Sequence, residues 1–105
     1  MRVALISDLH ANEVALRAVF RHIKAEGVDS TICLGDVATL GPHPREVLHI
    51  LQHENCPCIL GNHDEFLLDR QLIESYTEAP IIKQAVDWCR EQLSTQDMEF
   101  IRTFQ

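Results

Sequence analysis

The chain has 105 residues, of which 46% are hydrophobic and 24% are charged. This length and composition predict one folding unit over residues 1–105 with a hydrophobic core, and they exclude two domains and intrinsic disorder. The formal net charge of −7 repels nucleic-acid backbones and anionic membranes, so neither is an expected partner. No apolar run approaches the ~18 residues that span a bilayer, and no signal-peptide layout opens the chain, which predicts a cytoplasmic protein.

The first 60 residues alternate between strand-like and helix-like patterns. Short apolar runs rich in β-branched residues predict three strands, at Arg2–Ser7, Ser30–Leu34 and Pro57–Leu60. Apolar residues at helical spacing predict helices over Ala11–Glu26, which Gly27 ends, and over Pro44–His53. Strands that are separated by helices need crossover connections, so the fold class is α/β with three parallel strands.

The second half of the chain is predicted to be helical. A short helix is expected around Phe66–Leu68 and a longer one over Ile81–Leu93, with Trp88 packed beneath the longer helix. Ser94 and Asp97 have the spacing of a capping box and predict a last helix. No closing strand follows it.

The four cysteines are predicted to be free thiols. Cys33 and Cys58 lie inside apolar runs, where a thiol behaves as a small buried hydrophobe. Cys56-Pro57-Cys58 has the spacing of half a zinc site, but no second Cys or His pair stands at zinc-finger spacing. We therefore interpret this segment as the start of a strand.

Polar side chains of one chemical kind follow all three predicted strands. They are Asp8-Leu9-His10 after the first strand, Gly35-Asp36 after the second, and Gly61-Asn62-His63-Asp64 after the third. In a parallel sheet the loops at the carboxyl ends of the strands converge on one crevice, where ligands bind. A Gly-Asp or an Asp-x-His alone is often only a turn, but the three segments together predict a metal site. Its mixed oxygen and imidazole donors favour manganese, iron, zinc, cobalt or nickel over thiolate-selected metals.

These segments, in this order, resemble the signature series of the calcineurin-like metallophosphoesterases. The resemblance is closest to the small bacterial and archaeal branch, because Gly35-Asp36-Val37 leads to Gly41-Pro42-x-Pro44 and Trp88 precedes Gln92-Leu93-Ser94. It covers the whole chain and the amino-terminal part of the family's domain. It implies a partial metallophosphoesterase fold, which in the full family is an αββα sandwich, with a β-α-β-α-β parallel unit followed by helices here.

The resemblance also implies a cofactor of two divalent metal ions, with manganese expected first. Asp8 and His10 would bind the first ion, Asp36 would bridge the two ions, and Asn62 would bind the second. Two cations held about 4 Å apart lower the pKa of a bound water toward about 7, so that a metal-bridging hydroxide can attack phosphorus in line.

Two further residues receive catalytic roles from the resemblance. His63 would contact the phosphoryl group and protonate the leaving oxygen. Asp64 would orient His63, and a carboxylate beside the imidazole is expected to raise its pKa and keep it protonated near neutral pH.

The sequence departs from the family pattern after His63. The family supplies further ligands in a His-Gly step and a Gly-His-x-His motif, which this sequence lacks. The first ion would keep three protein ligands and the second two, which predicts weak binding at the second site. Thr39 and Leu40 stand where close relatives more often carry glycine and an aromatic residue. We interpret the chain as a truncated domain, whose sheet would expose an apolar face to a partner or to a second copy of the chain.

The leading functional hypothesis is metal-dependent hydrolysis of a phosphate monoester or diester, incomplete in this chain. The alternative is a non-catalytic protein-binding module that keeps the fold. A nucleotide- or flavin-binding domain is disfavoured, because Asp8-Leu9-His10 stands where a glycine-rich phosphate loop would be. The remaining histidines are His22, His49 and His53, expected on solvent-facing helix surfaces, and His43, close enough to the crevice for a substrate contact.

Overall fold

The computed structural model describes all residues 1–105 and has an α/β fold with two strands and six helices. The strands are β1 (Val3–Ile6) and β2 (Ser30–Cys33). The helices are α1 (Glu13–Glu26), α2 (Pro44–His53), α3 (Asn62–Leu68), α4 (Leu72–Tyr76), α5 (Pro80–Gln92) and α6 (Thr95–Arg102). None of these helices combines the length and the apolar character that crossing a membrane requires.

The parallel pairing predicted for the first two strands is confirmed. Val3 lies opposite Ser30 and Ile6 opposite Cys33, with α1 as the crossover between the strands. Both strands therefore end at the same edge of the sheet, so that the loops that follow them meet there.

The third predicted strand, Pro57–Leu60, is reduced to a single parallel bridge between Cys58 and Cys33. Cys33 N–H donates to Pro57 O (2.9 Å), and Ile59 N–H donates to Cys33 O (2.8 Å). Proline has no N–H to extend this ladder. On the other side of the segment, Gln105 N–H donates to Cys58 O (3.0 Å). The expectation of a strand over four residues was therefore wrong in extent, although its position and direction beside β2 were right.

The helix predicted over Ala11–Glu26 begins two residues later, at Glu13. Ala11 adopts a positive φ of 55°, and Asn12 caps the helix by accepting a hydrogen bond from Ala15 N–H (3.0 Å). Gly27, in the left-handed region, ends it as predicted.

Helix α2 has the predicted bounds, and α3 runs from Asn62 through the short helix predicted at Phe66–Leu68. Helix α4 was not predicted, because five residues are too few to show a period.

Trp88 does not pack beneath α5. Its side chain is 46% exposed, whereas Val86 and Cys89 on the same helix are buried. Successive residues of a helix are turned by about 100°, so a face that holds positions 86 and 89 leaves position 88 toward solvent. The four cysteines are free and buried, as predicted.

One face of the sheet is apolar and uncovered, which confirms the expected exposed surface. Val3, Leu5, Leu34 and Ile59 are 41–62% exposed. They alternate along the chain with Ile6, Cys33 and Cys58, which face the helices. We call Val3, Leu5, Leu34 and Ile59 the open sheet face.

Asp97 joins α6 to α2 through a buried carboxylate. It caps its own helix by accepting a hydrogen bond from Ser94 N–H (2.8 Å), and Ser94 Oγ accepts from Asp97 N–H (3.1 Å). The carboxylate also lies 2.9 Å from Arg45 Nε and 3.0 Å from His49 Nε2, both on α2. The capping box was predicted, but its link to α2 was not.

We expect Asp97→Ala to lower the free energy of unfolding by about 2–3 kcal/mol, because the cap and the bonds to charged partners are lost together. Burial raises the pKa of Asp97, but the hydrogen bonds from Ser94, His49 and Arg45 outweigh it and hold the pKa below the ordinary value of 3.8. A depressed folded-state pKa means that this stabilisation is present above pH 3.8 and is lost as the pH falls through the lower folded value.

Urea denaturation at neutral and at strongly acidic pH measures both effects. The exposed Glu99→Ala on the same helix is the control and should change stability little. An Asp97→Ala deficit of equal size at both pH values would contradict the assignment.

Candidate metal centre

Three predicted ligands meet at the carboxyl ends of the paired strands. Asp8 and His10 follow β1, and Asp36 follows β2. One ligand atom from each of the three residues lies within 4.8 Å of the other two. Asp8 Oδ1 and His10 Nε2 are 3.5 Å apart. Two carboxylates and an imidazole whose donor atoms lie this close together suit a divalent cation.

The backbone of these two loops is held in an uncommon conformation. Asp8, His10, Ala11 and Asp36 all have positive φ, between 40° and 57°. For residues other than glycine this conformation costs about 1–2 kcal/mol each. Hydrogen bonds between the loops offset the cost: Asp8 N–H donates to Gly35 O, His10 N–H to Asp36 O and Ala11 N–H to Val37 O, at 2.8–3.1 Å. Strain of this kind is typical of functional sites.

Close backbone approach explains the glycines beside the ligands. A Cβ on Gly35 would lie 2.6 Å from Gly61 N, and a Cβ on Gly61 would overlap the carboxylate of Asp36. Gly35 also has a φ of 108°, which side chains rarely tolerate. The Gly-Asp and Gly-Asn steps of the sequence thus place two loops directly against each other. They are the loop after β2, which holds Asp36 (the second loop), and the loop that ends at Gly61 (the third loop).

Asp64 organises the loops and does not orient His63. Its buried carboxylate accepts hydrogen bonds from the N–H groups of Asp36 (2.9 Å), Val37 (2.9 Å) and Gly61 (2.8 Å). Burial raises the pKa of Asp64, and the three N–H donors oppose that rise. The expectation that Asp64 holds the imidazole of His63 is replaced by a structural role between the second and third loops.

Thr39 is the side chain that lies within hydrogen-bond distance of the His63 ring. Its Oγ1 lies 2.8 Å from His63 Nδ1, and Asp36 Oδ1 accepts from His63 N–H at 3.0 Å. The rings of Phe66 and Tyr76 pack edge-on against His63, at 5.1 and 5.6 Å. Burial lowers the pKa of His63, although the Asp36 carboxylate opposes the shift. The expected rise in the pKa of His63 is therefore corrected to a fall.

His10 is oriented through its other ring nitrogen. Its Nδ1 lies 3.2 Å from the carbonyl oxygen of Thr39. An Nδ1–H donated to this oxygen leaves the Nε2 lone pair, on the side of Asp8, for an ion. Asp8 is exposed, and hydrogen bonding from the Ser7 hydroxyl lowers its pKa, which keeps the carboxylate ionised.

Asn62 is the first residue of α3, and its side chain is exposed at this edge of the sheet. Its part in a second ion site stays a prediction. His43 accepts a hydrogen bond at Nδ1 from Glu13 N–H (3.4 Å), which ties its ring to the start of α1. His22, His49 and His53 lie exposed on helices, as predicted.

Thr39 was missed as a site residue, because in the sequence it stood out only as a departure from a family pattern. No spacing rule links it to His10 and His63, which lie 29 and 24 residues away.

Known proteins of similar sequence and structure agree with this fold and with this candidate site. The family model for calcineurin-like phosphoesterases matches residues 1–100. The chain therefore belongs to the calcineurin-like phosphoesterase family.

Two solved structures are similar to the chain over part of their own length. A crystal structure of a metallophosphoesterase from Sphaerobacter thermophilus matches the whole chain with a TM-score of 0.77 and 33% identity, over 41% of its own length. A candidate diadenosine tetraphosphatase of known structure shares the fold, with a TM-score of 0.75 over 98% of this chain and 42% of its own, at 23% identity.

Curated relatives are likewise longer than this chain. An uncharacterized protein of Methanocaldococcus jannaschii is 31% identical over 94% of the chain and 40% of its own length. A symmetrical bis(5′-nucleosyl)-tetraphosphatase of Pseudomonas syringae is 28% identical over 88% of the chain and 35% of its own length. The chain thus spans about two fifths of the relatives that it matches.

Proposed function

We propose that the chain supplies the amino-terminal half of a dinuclear metal centre that hydrolyses phosphate monoesters or diesters. The observation that carries the proposal is the convergence of Asp8, His10 and Asp36, whose donor atoms lie within 4.8 Å of one another. Membership of a phosphoesterase family supports the reaction class. Its metallophosphoesterase relative of known structure supports the cofactor class.

In this proposal Asp8, His10 and Asp36 hold a first divalent ion, and Asp36 and Asn62 hold a second. The donor set fits manganese and also iron, zinc, cobalt or nickel. Such ions, when bound, lower the pKa of water and offset charge on the phosphoryl oxygens. The strained loops and the buried Asp64 keep the three first ligands in place before an ion arrives.

The contacts of Thr39 suggest how His63 donates a proton while its pKa is lowered by burial. If the Thr39 hydroxyl donates to Nδ1 of His63, neutral His63 carries its proton on Nε2. That proton is then available to the leaving oxygen of the substrate. This assignment is compatible with an Nδ1–H of His10 that donates to the carbonyl oxygen of Thr39, because the two histidines then use different oxygens of Thr39.

The test is hydrolysis of aryl phosphate monoesters and diesters by the purified chain, with and without added manganese. We expect any turnover by the chain to require the metal and to be abolished by Asp36→Asn, because the substitution removes the shared negative charge and keeps the Oδ1 acceptor for His63 N–H. Turnover that survives both a chelator and Asp36→Asn would overturn the proposal. Metal binding without turnover would retain the metal centre and remove the hydrolytic activity of this chain.

A second candidate function, a protein-binding module, is favoured by the open sheet face. Four large apolar side chains are exposed on one face of the sheet, and exposed apolar patches are typical of protein-binding surfaces. A second copy of the chain is the simplest partner, and sedimentation velocity at rising concentration would detect it.

The four free thiols support a reducing compartment such as the cytoplasm.

A further inference from the structure

An apolar cleft lies between the loop after β2 and helix α5. Its lining is Leu40, Gly41, Pro42, Ala85 and Trp88, and its volume is about 360 Å³. Trp88 is 46% exposed and Leu40 is 38% exposed. No lining residue is charged. A volume of this size falls at the lower end of small-molecule sites, which span about 300–1,000 Å³.

The cleft adjoins the candidate metal centre through its loop. The Cα of Gly41 packs so closely on the carbonyl oxygen of His10 that any Cβ there would overlap it. The neighbour of Leu40 is Thr39, which contacts Nδ1 of both His10 (3.2 Å) and His63 (2.8 Å). A molecule seated in the cleft therefore lies beside the backbone of His10, one of the candidate metal ligands.

The walls of the cleft are fixed by specific contacts. Cys89 Sγ donates a hydrogen bond to Gly41 O (3.4 Å) and ties α5 to the loop. Leu40 is held at a positive φ of 70°, a conformation that is unfavourable for a residue other than glycine. With this backbone the side chain of Leu40 stays exposed in the cleft.

We propose that this cleft binds a planar aromatic group of the substrate, stacked on Trp88, while the phosphate of the same molecule lies at the Asp8–His10–Asp36 centre. An exposed indole offers a flat, polarisable face to an aromatic ring, and an uncharged lining suits a ring better than a charged group. The substrate class is thus a phosphate ester with an aryl ring or a nucleobase. This inference rests on the proposed function for the position of the phosphate, but the cleft itself can be tested without it.

Trp88 is the single tryptophan of the chain, so its fluorescence reports directly on the cleft. We expect adenosine, adenosine 5′-monophosphate or phenyl phosphate to quench this fluorescence saturably, and glycerol phosphate to leave it unchanged. Leu40→Ser should lower the affinity for the quenching ligand about tenfold, because one wall of the stacking site loses its apolar contact. Ile81→Ser, at an exposed apolar position of the same helix outside the cleft, is the control and should have no effect.

Adenosine, which has no phosphate, separates the cleft from the metal centre. Saturable quenching by adenosine that is weakened by Leu40→Ser and survives Asp36→Asn supports the cleft even if the chain fails to hydrolyse phosphate esters. Preference between adenosine 5′-monophosphate and phenyl phosphate distinguishes a nucleobase from an aryl ring. Equal quenching by glycerol phosphate, quenching unchanged in Leu40→Ser, or no quenching by any aromatic probe would overturn the inference.

Discussion

Asp64→Ala is expected to destabilise the chain severely, even without any metal. The substitution removes a buried acceptor from three backbone N–H groups, those of Asp36, Val37 and Gly61. Each hydrogen bond to a charged group contributes about 1.5–3 kcal/mol, so the loss is at least about 4 kcal/mol. A domain of this size has a total stability of about 5–15 kcal/mol. Circular dichroism during urea denaturation, in the presence of a chelator, measures the loss.

Glu65→Ala is the matched control, since it removes a carboxylate from the exposed side of the same helix. It should change the free energy of unfolding by less than about 0.5 kcal/mol. Asp64→Asn keeps one acceptor oxygen and should fall between the two. A variant Asp64→Ala as stable as Glu65→Ala would contradict the role given to Asp64 in joining the loops.

Asp36→Asn is expected to weaken manganese binding at least about 100-fold, because the loss of a direct ligand should exceed the 10–100-fold cost of losing an outer contact. The amide keeps the size of the side chain and an oxygen for His63 N–H. The fold should therefore survive, and only the charge that attracts the cation is lost. Isothermal titration calorimetry of wild type and variant measures the difference.

The exposed Asp69→Asn makes the same chemical change away from the centre and should leave the affinity unchanged. Equal manganese affinity in Asp36→Asn and wild type would remove Asp36 from the site. Equal losses in both variants would point instead to a general effect of net charge.

The convergence of Asp8, His10 and Asp36 was predictable, because parallel strands carry their carboxyl-end loops to one edge and the sequence places polar residues after each strand. The predictions about the site that failed depend on contacts between segments that are distant in the sequence. Nothing in the local sequence shows that Asp64 turns toward the N–H groups of Asp36 and Val37, 28 and 27 residues away, instead of toward the adjacent His63.

Two predictions about the fold were wrong, each for a physical reason that the structure shows. The segment Pro57–Leu60 has strand-like composition, but proline lacks an N–H and only one bridge to β2 forms. Trp88 was expected to pack beneath α5, whereas the helix phase set by Val86 and Cys89 turns it to the surface. The hydrophobicity of a side chain does not by itself fix the face of the helix on which it lies.

The most direct test of the account is a crystal structure of the chain grown with manganese, with diffraction data measured at the manganese absorption edge. We predict an anomalous difference peak between the carboxylates of Asp8 and Asp36 and Nε2 of His10. Manganese bound elsewhere, with no peak among these three side chains, would contradict the assignment of the metal centre.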